Sequence, residues 1–231
     1  TAHARPASLP PMRSFADIAA IAAARKGSLQ AILAGATAPK SAADLAAIPD
    51  DRWLAQMAKG IFQAGISWKV VDAKWPGIEQ AFHGFDPGAV SMIEGDAFDA
   101  LLSDPRVIRS GAKIAAIRDN AAVLRAQPGL GRRIADWPVE DLTGLFQWLN
   151  TQFSRLGGST GPYMLRFMGK ETFLLSADVT ARLRAEGVIS GPATSARAQK
   201  AIQAAFNAWR AESGLTLNQI SRVLAHSIDA G

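Results

Sequence analysis

The chain contains no cysteine, and it has only three histidines and one tyrosine among its 231 residues. The absence of cysteine excludes disulfides, thiolate chemistry and every zinc site with cysteine ligands. The histidines, His3, His83 and His226, lie far apart in the sequence, so they do not form a spaced set of metal ligands. We therefore expect a fold without metal, and we predict no cofactor.

Long apolar runs are also missing from the sequence. No stretch reaches the roughly 20 residues that a helix needs to cross a bilayer. Residues 15–24 are apolar but short, and Asp17 interrupts them, so they predict a helix rather than a signal peptide. We expect a soluble cytoplasmic protein that has no membrane partner.

The alternation of apolar and polar residues that marks a half-buried β-strand is absent as well. Helical spacing is frequent instead, for example at Trp53, Met57 and Ile61. Hydrophobic residues make up 48% of the chain, which is enough for a sizeable core. The sequence thus predicts an all-α protein with many short helices joined by short loops.

Helix starts and breaks can be placed from capping and turn residues. Serine and threonine side chains cap helix N-termini, and the predicted caps are Ser14, Ser28, Ser41, Ser67 and Thr216. Pro76 is expected to end or offset the helix that follows Ser67, because proline has no N–H to donate. Gly129 and Gly131 predict a loop before the helical region that begins near Val139.

The length of the chain is compatible with two helical lobes. Residues 1–12 carry three prolines and no periodicity, and they predict a loose arm. We expect one lobe at approximately residues 50–150 and a second lobe made of residues 13–49 and 151–231. A cleft between two helical lobes is a natural place for a ligand.

The charge balance of the chain is basic, with a formal charge of +5 and an isoelectric point of about 9.9. A basic balance suits a polyanion such as nucleic acid. Many proteins without such a partner are equally basic, so the charge alone is weak evidence.

A glycine-rich turn at residues 156–161 is the most informative stretch of the sequence. Its small residues allow positive φ angles and a close backbone approach to another molecule. The residues of this turn that we expect to meet a phosphate are Gly157, Gly158, Ser159, Thr160 and Gly161. Pro162 suits the first turn of the helix that follows, so backbone N–H groups cluster at a helix N-terminus, where anions bind. The alternative is an ordinary loop between two helices.

A carboxylate follows this turn at the start of another helix. The apolar run of residues 173–175 leads to Ser176 and Asp178. The dipole of the helix favours negative charge at its N-terminus, so Asp178 is expected to stay ionised. The alternative is that Asp178, or Ser176, is simply an N-cap.

Four short motifs resemble the family of 3-methyladenine DNA glycosylase I. They are QAGISW at residues 63–68, FDP at 85–87, IRSGAKI at 108–114 and NA at 120–121. The glycine turn and the Asp178 segment resemble the wider superfamily of helix-hairpin-helix DNA glycosylases. Together the resemblance covers roughly residues 50–230 and implies the two-lobed helix-hairpin-helix DNA glycosylase fold.

Three departures from the family make its substrate a weaker expectation for this chain than its fold. The family has a glutamate that reads the damaged base, and its position falls on Gly60 here. The family's cysteine and histidine zinc ligands are also absent, and the first 45 or so residues do not match. The fold therefore carries over further than the particular base.

The resemblance assigns roles to individual residues. Asp178 would stabilise the positive charge that develops on the sugar and orient a water. Trp68 and Tyr163 would line the base pocket, although either could be a core residue. Gln63 and Gly65 lie at the turn that inserts into the base stack where the flipped base leaves a gap. Gln63 could equally be a solvated loop amide.

Two basic side chains complete the expected DNA-binding surface. Arg109 and Lys113 are one helical turn apart and could reach the DNA backbone, or they could form a solvated face. Superfamily members that also cut the strand carry a lysine just after the hairpin glycines, where this chain has Pro162 and Tyr163. The resemblance therefore implies a monofunctional DNA glycosylase.

The expected function is base excision repair of an alkylated purine such as 3-methyladenine. The expected partner is double-stranded DNA with a damaged base, and the protein would act as a monomer at the nucleoid. Two other classes of function stay open: a non-catalytic DNA-binding protein that recognises damaged or distorted DNA, and a helical protein with no role on nucleic acid.

Overall fold

A computed structural model describes residues 11–231, and most of the predicted arm lies outside these residues. Every regular element in this part of the chain is helical, which confirms the prediction of an all-α protein. Residues 11–231 contain no helix with the length and apolar character needed to span a bilayer. The described residues form two compact units, which divide after Ala38 and after Thr172.

The first unit combines the described residues up to Ala38 with Phe173–Gly231. Its helices are α1 (Phe15–Lys26), α2 (Leu29–Ala34), α12 (Ala177–Ala185), α13 (Ala196–Ser213) and α14 (Leu217–His226). Helix α14 contacts the other four, and its buried side chains include Leu217, Ile220 and Leu224. This apolar face recurs with the helical period and forms the centre of the unit.

The second unit is Pro39–Thr172. Its helices are α3 (Ala42–Ala46), α4 (Asp50–Gln63), α5 (Trp68–Ala81), α6 (Pro87–Ser91), α7 (Gly95–Ser103), α8 (Gly111–Ala126), α9 (Leu130–Asp136), α10 (Leu142–Gln152) and α11 (Thr160–Met168), with short 3-10 turns at His83–Phe85 and Val139–Asp141. The fully buried side chains of α4 include Trp53, Met57 and Phe62, and α4 contacts five other helices. The glycine turn at residues 156–161 lies in this unit. The sequence had instead grouped it with residues 13–49 and the C-terminal part of the chain.

Local capping follows the sequence closely. The Ser14, Ser28 and Ser41 side chains each accept a hydrogen bond from the backbone N–H three residues later, as N-caps do. Thr216 forms a capping box with Gln219. Helix α5 begins directly after Ser67, but the Ser67 side chain makes no capping hydrogen bond.

Two predicted breaks are wrong. Pro76 lies inside α5 and does not end it, because Ile78 and Ala81 beyond the proline are buried and hold the helix in place. Gly131 lies inside α9 rather than in a loop. A Cβ at Gly131 would lie 2.8 Å from the carbonyl oxygen of Leu45, so the glycine is required by the close packing of α9 on the end of α3.

The N-terminus of α9 is capped by a side chain from another helix. Its own N-cap residue, Gly129, has no side chain, and Asp50 supplies the acceptor instead. The two carboxylate oxygens of Asp50 accept from Gly129 N at 2.8 Å and from Leu130 N at 2.9 Å. Asp50 thereby connects the start of α4 to the start of α9.

Replacing Asp50 with alanine should lower the free energy of unfolding by about 1 to 2 kcal/mol, because two backbone donors lose their acceptor. Denaturant unfolding of the Asp50→Ala variant measures this change. Asp44→Ala is the matched control: Asp44 is exposed in the first turn of α3, and its carboxylate makes no hydrogen bond within the described residues. An equal loss in both variants would contradict the capping role of Asp50.

A partly buried ion-pair network around Glu186 lies in the first unit. Burial raises the pKa of Glu186, but hydrogen bonds from the Arg13 backbone and guanidinium and from Arg182 together lower it by a larger amount, so the net pKa lies below its usual value. The carboxylate accepts from Arg13 at 2.9 Å and from Arg182 at 3.0 Å. Arg182 also donates to the hydroxyl and the carbonyl oxygen of Ser227.

This pKa shift predicts how stability depends on pH. A carboxylate with a depressed folded-state pKa stabilises the protein above its unfolded-state pKa, and the contribution is lost as the pH falls through the folded-state value. Wild type should therefore exceed Glu186→Gln in stability at pH 7, and the difference should shrink below the ordinary pKa of about 4.5. Melting temperatures between neutral and acid pH measure it. A constant difference would contradict the role of the charge, and Glu94→Gln, at an exposed position, is the control.

Candidate functional site

A cavity of about 180 Å³ opens in the second unit, between the C-terminal half of α4, the start of α5 and helix α11. It is lined by Gln56, Gly60, Gln63, Ala64, Trp68, Ser159, Thr160, Tyr163, Met164 and Phe167. A cavity of about 150 Å³ holds one benzene molecule, so the space is of the size of a single heterocyclic base. None of these described lining residues carries a formal charge.

Gly60 explains how the cavity is bounded on the α4 side. A Cβ at this position would lie 3.1 Å from the Thr160 methyl carbon, a separation that requires Thr160 to shift slightly. The absent side chain therefore lets α11 pack close to α4. It also leaves the cavity without a carboxylate at the position where the resemblance places one.

Aromatic side chains form the opposite wall. The rings of Trp68 and Tyr163 meet edge to face with centroids 5.9 Å apart, and Phe167 lies 5.9 Å from Trp68 and 5.8 Å from Tyr163. Trp68 is 46% exposed and Phe167 is 52% exposed, so both are accessible to a ligand. The structure thus brings together Trp68 and Tyr163, the two predicted pocket residues.

Gln63 lies in the cavity wall and not on an exposed turn. It is the last residue of α4 and only 7% exposed, so its position does not support the expected insertion into the base stack. Gln56 lines the same cavity two turns earlier on α4. Gly65 is exposed with φ of 75°, and a Cβ there would meet nothing within 4 Å.

The glycine turn joins α10 to α11 as a helical hairpin. Gly158 has φ of 61°, which favours glycine, and Arg155 adopts the same φ. A Cβ at Gly161 would lie 2.6 Å from the Leu156 carbonyl oxygen, and one at Gly157 would lie 2.5 Å from Asn150 Oδ1. The turn is therefore closed too tightly to accept larger residues at these positions.

The hairpin amides divide into bonded and free groups. Thr160 N and Gly161 N donate within the turn, to the carbonyl oxygens of Gly157 and Leu156. The N–H groups of Gly157, Gly158 and Ser159 donate no hydrogen bond within the described residues. Free amides at the N-terminus of a helix are suited to an anion, so the amides of residues 157–159 are the candidates for phosphate contact among the five predicted positions.

Asn120 fixes the start of the hairpin. Its fully buried side chain donates to Ser154 O at 3.0 Å and accepts from Ser154 N at 2.6 Å. Because both hydrogen bonds go to one backbone unit, the chain entering the turn is held on α8. Asn120 belongs to the NA motif, but the sequence alone did not indicate this role.

The Lys113 ammonium makes hydrogen bonds within the protein. Its Nζ donates to Phe62 O at 3.2 Å and to Ala64 O at 2.6 Å, the carbonyls at the C-terminal end of α4. Burial lowers the pKa of Lys113, and the positive charge of Arg155 lowers it further. These two hydrogen bonds hold the turn after α4, and contact of Lys113 with phosphates stays a prediction.

Two arginines near the predicted DNA-binding motifs are exposed. Arg109 is exposed and makes no hydrogen bond or ion pair with the described residues. Arg155 is also exposed, at the entry to the hairpin turn. Arg109 remains a candidate for phosphate contact, and Arg155 is a second one that sequence reasoning missed.

Asp178 belongs to the first unit and lies in the first turn of α12. Ser176 is the N-cap of this helix, since its hydroxyl accepts from Val179 N at 3.2 Å. The Asp178 carboxylate instead accepts from Ala230 N at 2.8 Å. The alternative that Ser176 is the N-cap is confirmed, whereas Asp178 is not the cap, and the catalytic role of Asp178 stays a prediction.

No cluster of three or more potential metal ligands exists within residues 11–231. His3 lies outside the described residues.

Lys170 is buried, and its ammonium donates to Ile134 O at 2.8 Å and to Trp137 O at 2.5 Å. Burial lowers the pKa of Lys170 despite the nearby carboxylate of Glu171. These contacts place the lysine at the C-terminal end of α9.

Several cavity residues were missed in the sequence although a signal was present. Phe167 is four residues after Tyr163 on α11, and Gln56 precedes Gly60 by four on α4. Residues four apart share a helix face, so the positions of Tyr163 and Gly60 indicated that Phe167 and Gln56 lie on the same side of their helices. The burial of Gln63 and the contacts of Lys113 depend instead on packing between distant helices, for which the sequence carried no signal.

Known proteins resemble part of this chain. Residues 47–136 match the family model described as methyladenine glycosylase. The DNA-3-methyladenine glycosylase of Haemophilus influenzae is 35% identical over 75 residues, which cover 32% of this chain and 40% of that protein. This chain therefore spans well under half the length of the curated relative that it matches.

Solved structures give similar results. A crystal structure of 3-methyladenine DNA glycosylase I overlaps 57% of this chain and 81% of its own, with 22% identity and a TM-score of 0.46. The structure of 3-methyladenine DNA glycosylase I from Staphylococcus aureus overlaps 52% of this chain and 76% of its own, with 20% identity and a TM-score of 0.44. The family match contains α4, Gly60 and Trp68 and ends before the hairpin and Asp178. Over residues 47–136, this chain is similar to the methyladenine glycosylases.

Proposed function

We propose that this protein is a DNA glycosylase of base excision repair that removes an alkylated purine such as 3-methyladenine. The observation that carries the proposal is that the free amides of the hairpin lie directly beside the aromatic cavity. Ser159 and Thr160 line the aromatic cavity, and they directly follow the free amides of Gly157 and Gly158. A phosphate held at the hairpin would therefore place its nucleotide beside a cavity of the size of a base.

The aromatic wall suits an alkylated purine. A cationic base is attracted to the electron-rich face of an indole or phenol ring, with a strength of roughly 0.5 to 2 kcal/mol. Trp68, Tyr163 and Phe167 present such rings at the cavity. A base must leave the stacked duplex to reach them, as in other enzymes that act on a single base.

Hydrolysis breaks the N-glycosidic bond and forms a bond from water oxygen to C1′, and one proton of the water is released to solvent. The bonding electrons leave with the base, so a cationic lesion departs as a neutral molecule. Positive charge develops on the sugar, and a carboxylate stabilises it. We assign this role to Asp178, whose carboxylate is oriented by the hydrogen bond from Ala230 N.

The enzyme is proposed to be monofunctional, with water as the nucleophile. Strand cleavage by glycosylases requires an amine that attacks the sugar, and the residues after the hairpin glycines are Pro162 and Tyr163. Lys170 is held by two backbone carbonyls near α9. The protein would act as a monomer on double-stranded DNA at the nucleoid, without metal or cofactor.

An excision assay tests the proposal. Duplex oligonucleotides, each with one lesion, are incubated with the protein, and abasic sites are detected by alkaline strand cleavage. We expect abasic sites in the duplex with 3-methyladenine and none in the undamaged duplex of the same sequence. Binding to damaged duplex without any abasic product would instead identify a non-catalytic DNA-binding protein and would overturn the proposed activity.

A further inference from the structure

We propose that Gln63, assisted by Gln56, reads the base by hydrogen bonds, so that the cavity selects purines by the pattern of their edges and not by their charge. This inference rests on the proposed function, and it names the substrate class of that site. It gives Gln63 the role of a specificity-determining residue within the cavity. The class includes purine lesions that carry no positive charge as well as cationic ones.

The burial of Gln63 is the first step of the argument. The residue is 7% exposed, and its carboxamide makes no hydrogen bond within the described part of the chain. The carboxamide atoms of Gln63 are not fully buried, and the residue lines the cavity. An unpartnered amide at this position is therefore available to donate to and accept from a ligand in the cavity.

The second step is the placement of the two amides on α4. Gln56, Gly60 and Gln63 follow one another at intervals of four and three residues, so they share one helix face. All three line the cavity, and Gly60 adds no side chain between the two amides. The Gln56 carboxamide also lacks a hydrogen-bond partner among the described residues. Both amides can therefore reach one ligand.

The third step is the chemistry of the amide. A carboxamide both donates and accepts hydrogen bonds, whereas an ionised carboxylate only accepts. The edge of a substituted purine carries donors and acceptors side by side, as an amide requires. A carboxylate at position 60 would favour cationic bases, but Gly60 removes that preference, and the described lining residues are uncharged. Stacking on Trp68 and Tyr163 supplies the rest of the contact.

Binding of free bases tests the inference directly. The three bases are 3-methyladenine and hypoxanthine, both uncharged as free bases, and unsubstituted purine, which lacks the exocyclic groups, with dissociation constants measured by titration calorimetry. A fourth probe, 3,9-dimethyladenine, is a cation because both nitrogens are alkylated, and it should bind within about tenfold of 3-methyladenine if charge does not decide the selection. We expect wild type to bind 3-methyladenine and hypoxanthine within about tenfold of each other and purine at least tenfold more weakly. Equal binding of all three bases, or no binding of any, would overturn the inference without the need for a variant.

Variants then locate the effect. Gln63→Leu should weaken 3-methyladenine and hypoxanthine tenfold or more, change purine binding less than twofold and leave the melting temperature equal or higher. Gln56→Leu should show the same pattern with a smaller loss. The matched control is Gln127→Leu, since Gln127 is exposed at the end of α8 and makes no side-chain hydrogen bond with the described residues.

The outcomes separate this inference from the proposed function. If Gln63→Leu binds both substituted bases as wild type does, or weakens all three bases equally, Gln63 does not read the edge. If wild type binds bases through Gln63 but forms no abasic sites, the glycosylase proposal fails while the base-reading role stands. If wild type forms abasic sites and Gln63→Leu binds and excises normally, the reading role alone fails.

Discussion

Replacing Asp178 with asparagine is expected to lower the single-turnover excision rate by roughly a hundredfold or more, the scale of losing one electrostatic stabiliser of a transition state. Asparagine keeps the shape of the side chain but removes the charge that would stabilise the sugar cation. The loss should be smaller for a cationic lesion than for a neutral one, because the cationic base leaves more easily.

The structure indicates why this variant should fold. Ser176, and not Asp178, caps α12, so the cap survives the substitution. The amide oxygen of asparagine can still accept the hydrogen bond from Ala230 N. We therefore expect a melting temperature near that of wild type and unchanged affinity for DNA.

The matched control for Asp178→Asn is Asp17→Asn. Asp17 lies in the first turn of α1 in the same unit and is exposed. Excision by the Asp178 variant at the wild-type rate would reduce the residue to an anchor of the C-terminal segment. A large loss of melting temperature would assign it a structural role instead.

Replacing Gly158 with valine should weaken binding to every duplex by about ten- to hundredfold, the effect of losing one or two hydrogen bonds to a charged group. Gly158 has φ of 61°, and a β-branched residue does not adopt that angle without strain. The turn must therefore change, and the free amides of Gly157, Gly158 and Ser159 lose their common orientation. The loss should be independent of base sequence because amides contact phosphates and not base edges.

Fluorescence anisotropy with two unrelated duplexes measures this effect, over roughly 50 to 200 mM salt, where binding to phosphates weakens strongly. Gly214→Val is the control, because Gly214 also has a positive φ, 68°, with no atom near a new Cβ, and it ends α13 in the other unit. A loss confined to one duplex, or an equal loss in the control, would show that the hairpin is not the phosphate site.

The sequence predicted those features that depend on neighbouring residues. The caps at Ser14, Ser28 and Ser41 are local, since the side chain bonds a backbone N–H three residues away. Pro76 and Gly131 were misplaced because burial of Ile78 and the approach of α3 outweigh the local preference. Packing between elements distant in the chain determined both outcomes.

The candidate site divides in the same way. Trp68 and Tyr163 could be predicted as pocket residues because motifs near each carry the information. The contacts of Lys113 with Phe62 and Ala64 could not, since they join residues about fifty positions apart. The sequence placed Gln63 and Lys113 near the turn that follows α4. The packing of α8 and α11, which the sequence does not show, determines their surroundings.

The double hydrogen bond of Asn120 to Ser154 has a consequence for the thermodynamics of the proposed DNA binding. A segment that orders only on binding reduces the affinity by the conformational entropy it loses. Because Asn120 already fixes the chain that enters the turn, the free amides are oriented before any DNA arrives. The hairpin can thus engage a phosphate as a rigid surface, and the free energy of that contact is not spent on folding the turn.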